Sequence, residues 1–143
     1  MSVREAALEA LRQSIATVRP ASDVKRNVDV PASVGPGGLF IVRDGEPGEP
    51  SVSLSPPSYE WQHQADVEIY ADGATTAARG SLLDALLMDL GATIIADPTL
   101  GGAVLWAEPS APSRRDQPSD GGAALASAIV TVTLVYTTTS PLG

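Results

Sequence analysis

EWQHQADVEIYA, residues 60–71, alternates without a break. Trp61, His63, Ala65, Val67, Ile69 and Ala71 fall on one face, and Glu60, Gln62, Gln64, Asp66, Glu68 and Tyr70 on the other. Successive side chains of a strand point to opposite faces, so this pattern predicts a strand with one face against a core and a polar face opposite. One-sided burial of this kind belongs to an antiparallel sheet with helices on its apolar face, an α+β arrangement.

The flanking sequence supplies the partners. LFIVRDGEPGEP, residues 39–50, reads as a strand over 38–43 closed by a turn, and a short strand follows over 51–54, giving an antiparallel meander with the strand after SPPS. Residues 74–95 change to helical spacing, with Leu82, Leu83, Leu86, Leu87, Leu90, Ile94 and Ile95 in a broad apolar stripe opposed by Arg79, Asp84 and Asp89. AVLWAE at 103–108 reads as another strand. PSAPSRRDQPSDGG at 109–122 is rich in Pro, Ser and Gly and predicts a long mobile loop. The last strand is marked by alternation of Ala124, Ala126, Ala128, Val130, Val132, Leu134 and Tyr136. At the other end, Val3, Ala7, Leu8, Leu11, Ile15 and Val18 predict a helix over 2–18, with Ser2 as N-cap and Pro20 as its stop. The expected order is α-β-β-β-α-β-β: a mixed, mainly antiparallel sheet covered by two helices, with a long loop before the last strand.

A chain of 143 residues without internal repeat or linker is expected to be a single domain spanning 1–143. Hydrophobic residues make up 43% and charged ones 18%, enough apolar material to fold; aromatics are only 4%, so Trp61 and Trp106 stand out. Nine Lys plus Arg against 17 Asp plus Glu give a net charge of −8, which repels phosphate backbones and argues against tight nucleic-acid binding. Charges at Arg4, Glu5, Glu9 and Arg12 break the apolar run that a signal peptide needs, and no stretch reaches the length of a membrane span. The absence of cysteine removes disulfides, thiolate metal sites and thiol nucleophiles. A cytoplasmic product is the expectation.

The search for chemistry finds isolated residues. His63 is the sole imidazole, and its place on the apolar face between Trp61 and Ala65 reads as a packed or interfacial histidine, since the spacing brings no metal or acid–base partners to it. GPGG at 35–38 lacks the Lys-Ser/Thr ending of a phosphate loop. Glu60, Asp66 and Glu68 share a polar strand face with no apolar pocket to separate their pKa values. No G-x-S-x-G elbow occurs, and the pairs Arg114–Arg115 and Lys25–Arg26 read as solvated charge or partner contacts. No catalytic residue, cofactor site or metal site is expected, and the chain reads as a non-enzyme.

VEIYADG at 67–73, the Leu-rich helix, ADPTLGGAVLW at 96–106, a variable polar loop and IVTVTLVY at 129–136 follow one another in an order that resembles the tail terminator (tail completion) proteins of long-tailed phages. The LFIVRDGEPGEP turn and the terminal SPLG are most similar to the versions in gene transfer agents and related prophages. The resemblance covers the chain from about residue 38 onward. It implies a structural virion protein, a homohexameric ring at the head-proximal end of the tail tube. Such a ring stops polymerisation of the major tail tube protein and offers a docking face to the head connector or stopper protein. DNA would pass through it without specific binding. The protein would reside in the bacterial cytoplasm during assembly and then at the head–tail junction of the particle. The two Pro/Gly-rich loops supply candidate interface residues, Asp44, Glu46 and Glu49 in one and Arg114, Arg115 and Asp116 in the other. Glu60, Asp66 and Glu68 are the candidate acidic residues of a DNA-repelling lumen. A neck or head-completion ring protein is the alternative; an acyl-transferase-like enzyme would need a nucleophile, base and oxyanion donors that the sequence does not assemble.

Overall fold

In a computed structural model, residues 1–31, 33–117 and 125–143 are described. In chain order the elements are α1 (Val3–Val18), β1 (Asp23–Arg26), β2 (Leu39–Glu46), β3 (Ser51–Ser53), β4 (Ser58–Ala71), α2 (Thr76–Ala96), β5 (Trp106–Pro109), β6 (Ser113–Gln117) and β7 (Leu125–Thr138). The fold is α+β, a mixed, mostly antiparallel sheet with two helices. The alternating stretch of residues 60–71 lies within β4, which pairs with β7 along its whole length, from Tyr59 opposite Thr138 to Ala71 opposite Ala126. Around this long ribbon the sheet order is β1-β2-β4-β7-β5, with β3 also on β4 and β6 also on β7. Among the described residues only β1 runs parallel to its neighbour, β2.

Both helices lie on the face that carries the odd-numbered side chains of β4. Leu8 and Leu11 of α1 and Leu83 and Leu86 of α2 are buried against Val67, Ile69, Val132 and Leu134. Each such side chain contributes about 1.5–3 kcal/mol through removal from water. The helices start where the sequence supplies caps: Ser2 Oγ accepts from the Glu5 N–H at 3.1 Å, and Thr75 Oγ1 from the Ala78 N–H at 3.0 Å. On the other face a smaller cluster, Leu39, Ile41, Tyr70 and Leu125, is covered by Val28, Val30 and Val34 of the β1–β2 connection.

Two strands lie where the local pattern carries no strand signal. In β1, DVKR, only Val24 is apolar, and the strand is held by its ladder to β2. In β6, SRRDQ contains no apolar residue, yet it extends the sheet by pairing from Ser113 opposite Ile129 to Gln117 opposite Leu125. The expected loop over 109–122 is therefore corrected for 113–117: backbone pairing to a long Val/Thr-rich neighbour outweighs a composition that favours irregular chain. Residues 118–122 of that loop, and Ala124 at the expected start of the last strand, lie outside the described residues. The strand expected over 103–108 begins only at Trp106, because residues 99–105 complete a series of turns stitched by bonds such as Val104 N–H to Thr99 O.

The β2 strand extends three residues beyond the expected 43, through a bulge. Arg43 pairs with Asp66 and Glu46 with Gln64, so Asp44 and Gly45 share the space of one partner residue. Gly45 sits at φ 65°, and a Cβ there would lie 1.9 Å from the Gln64 carbonyl oxygen. Glycine is required by both the dihedral and the close approach.

Candidate functional site

The helices cover one sheet face, and Val28, Val30 and Val34 cover one end of the other. Among the described residues the remainder of that second face is open. Its side chains are fixed by strand register, since directly paired residues share a face. Reading across the sheet, one row holds Thr137 and Glu60, the next Trp106, Val135 and Gln62, the next Glu108, Thr133, Gln64 and Glu46, and the next Thr131, Asp66 and Arg43. Carboxylates outnumber cations along it, with Gln and Thr between them.

The candidate acidic trio separates into three environments. Glu60 is exposed. Asp66 is half-buried and accepts from the Thr131 hydroxyl at 2.9 Å. Glu68 is held by the Arg43 guanidinium at 2.9 and 3.3 Å and accepts the Tyr70 hydroxyl at 2.7 Å. Burial pushes the Glu68 carboxyl upward, but the Arg43 and Tyr70 bonds outweigh it and leave the group below the ordinary glutamate range. Burial and the adjacent Glu68 raise the Tyr70 phenol. The Arg43 pair makes Glu68 a structural carboxylate, so the free negative charge of the four rows above resides in Glu46, Glu60, Asp66 and Glu108.

The candidate interface residues fall on two sides of the sheet. Asp44 is half-buried in the β2 bulge and bound to Arg26 at 2.9 Å, in a network that also joins Arg26 to Glu5 at 2.5 Å. That network holds the Glu5 carboxyl below its ordinary range, the Arg26 bond being the main cause. Lys25 and Arg26 therefore part company: Lys25 is exposed, and Arg26 ties α1 to β1 and β2. Glu46 and Glu49 are exposed. Arg114 and Arg115 are exposed on β6, and Asp116 occupies the β6 position paired with Ala126.

His63 lies on the helix-side face and is 1% exposed. Its Nε2 donates to the Asp44 carbonyl at 2.5 Å, and its Nδ1 faces the Tyr136 hydroxyl at 2.8 Å. A carbonyl can only accept, so Nε2 carries a hydrogen, and in the neutral ring Nδ1 accepts a hydrogen bond from the Tyr136 hydroxyl. The imidazole thus ties the bulge of β2 to β7. The histidine expected to be packed therefore has a defined duty, set by partners on two other strands.

The two tryptophans also diverge. Trp61 is buried, its Nε1–H donating to Thr138 Oγ1 at 2.9 Å. Trp106 is 51% exposed on the open face, beside Val135 at the outer strand. Exposed aromatics at the margin of a polar face are typical anchors of protein contacts. Trp106 and Arg43 are the residues of this face that sequence reasoning did not assign to a site.

Among the described residues, no group of three or more His, Asp or Glu is arranged to hold a metal ion. An open hollow of about 470 Å³ lined by Val34, Pro36, Asp72 and Gly73 offers one carboxylate, which accepts the Gly73 N–H at 2.7 Å. Among the described residues, no helix is long and apolar enough to cross a membrane. No protein-family model matches the chain, and no characterised protein matches it significantly by sequence.

Proposed function

We propose that this protein is a structural ring subunit of a tailed particle, a tail terminator that caps the head-proximal end of the tail tube and receives the head connector. The observation that carries the reading is the open, net-acidic sheet face described above, bounded by outer strands whose far edges pair with nothing among the described residues. A sheet helix-covered on one side and polar on the other suits a subunit whose helices form the outside of a ring and whose open face borders the passage. Free acidic groups at Glu46, Glu60, Asp66 and Glu108 would repel DNA in transit and keep it from adhering. The order of motifs from VEIYADG to IVTVTLVY supports the same assignment through its likeness to tail terminators. The role requires contacts alone.

Deletion of the gene from a particle-producing cell tests the reading by electron microscopy. Loss of a terminator leaves tubes without a length limit and heads without tails. Loss of a neck or head-completion protein, the alternative, leaves tails of normal length that fail to join heads. Normal, complete particles would overturn both.

A further inference from the structure

Among the described residues four strands pair on one side only, β1 and β3 at one margin of the sheet and β5 and β6 at the other, and of these β1 and β6 face outward across the same rows. Strand register places them at the same height. One row runs Asp23, Leu39, Tyr70, Ser127, Arg115, and the next runs Val24, Phe40, Ile69, Ala128, Arg114. Their directions follow from the pairing: β1 is parallel to β2, and three antiparallel steps through β4 and β7 reach β6, so β1 and β6 run antiparallel. The Asp23 and Asn27 N–H groups donate toward β2, to Gly38 O and Val42 O, which turns the Val24 and Arg26 N–H groups to the free edge.

The side chains on these edges are complementary. Arg114 and Arg115 are exposed, and neither forms an ion pair among the described residues, whereas Arg12, Arg19, Arg26 and Arg43 all do. Arg115 and Asp23 end the same row and therefore project from the same face. Arg114 projects from the helix face, where the opposite edge is flanked by Glu5 and Glu9 of α1 around Arg26. Lys25 shares its row with the uncharged Ser113, so no like charges meet in this register.

We infer that the β6 edge of one copy pairs antiparallel with the β1 edge of a second copy, Arg115 of one meeting Asp23 of the next. The contact rests on the ring-subunit reading above and names its partner as another copy of this chain. A copy moved sideways, with no shift along the strands, brings Arg115 opposite Asp23, Arg114 opposite Val24 and Ser113 opposite Lys25. Because the two edges differ, the contact is head-to-tail and repeats until rotation closes it into a ring. The backbone ladder supplies the attachment, and the charge pairs fix the register. Repetition keeps the helices on one side of a continuous sheet and the open acidic face on the other.

The cysteine-free chain permits a direct test. Asp23→Cys and Arg115→Cys chains are mixed under mild oxidation, alone and with the tail tube protein; directly opposed Cβ atoms lie about 4.5–5.5 Å apart, within disulfide reach after a small adjustment. The mixture forms a cross-linked dimer, each variant alone forms none, and a chain carrying both substitutions forms a ladder ending in a closed ring. Met88→Cys, exposed on α2, serves as the control and fails to cross-link to Arg115→Cys. Asp23→Arg weakens self-association at least about tenfold, and adding Arg115→Asp to it recovers most of the loss. Rings that assemble without the cross-link would overturn the edge contact and leave the ring reading standing. Cross-linked rings that do not limit tube growth would overturn the tail assignment and leave the contact standing. Chains that stay monomeric under every condition would overturn both.

Discussion

Tyr136→Phe removes one hydroxyl from the core and leaves the ring in place. His63 Nδ1 then becomes a buried acceptor without a partner, on a side chain 1% exposed. The lost bond and the orphaned nitrogen together cost about 1–3 kcal/mol. His63→Leu keeps an apolar volume at the site but orphans both the Tyr136 hydroxyl and the Asp44 carbonyl in the bulge, so it costs roughly 2–4 kcal/mol. The double variant leaves only the Asp44 carbonyl unpaired, because a Phe–Leu contact has no polar atom to strand. Its loss is therefore smaller than the sum of the two single losses by about 1–2 kcal/mol. Urea unfolding at constant m measures the three values. For 143 residues the unfolding entropy is about 0.3 kcal/mol/K, so a loss of 2 kcal/mol lowers Tm by about 7 °C. Additivity within about 0.5 kcal/mol would refute the clasp, as would a His63→Leu chain more stable than the parent.

Gly45→Ala forces a side chain into the left-handed region and against the Gln64 carbonyl, and it is expected to cost at least about 2 kcal/mol in the same urea assay. Glu68 has a folded pKa below its ordinary value of 4.5, so its contribution is complete above that pH and is lost as pH falls through the folded value. Acid titration of stability should accordingly be shallower in Glu68→Gln than in the parent below pH 4.5, and equal slopes would remove Glu68 from the account. Trp106→Ala changes stability by less than about 1 kcal/mol, since half the ring is in water, but lowers incorporation into particles; unchanged particle yield would exclude Trp106 as an anchor.

What could be read in the sequence followed hydrophobic period. The alternation from Trp61 to Ala71 gave strand, face and burial together, because every second side chain meets the core in a two-strand ribbon of full length. The Leu-rich helix was legible for most of its stripe: Leu83, Leu86, Leu90 and Ile94 are buried and Leu82 and Leu87 pack against the core, but Ile95, expected in the same stripe, is 78% exposed. β1 and β6 were not legible, because their pairing depends on backbone groups that every residue carries and on neighbours distant in the chain. The acidic trio was visible as a shared face, but its electrostatics were not. Arg43 reaches Glu68 only because β2 and β4 pair in one particular register, and no local pattern encodes that. The duty of His63 likewise arises from the bulge at Asp44 and Gly45 meeting the Tyr136 hydroxyl from β7.

The proposed role of this chain is to end a tail tube. Its most direct measurement is the length distribution, by negative-stain electron microscopy, of tubes grown from the tail tube protein with and without this chain. Adding the protein is expected to arrest elongation and leave a ring at one tube end only. Tubes that grow to the same lengths, bare at both ends, would contradict it.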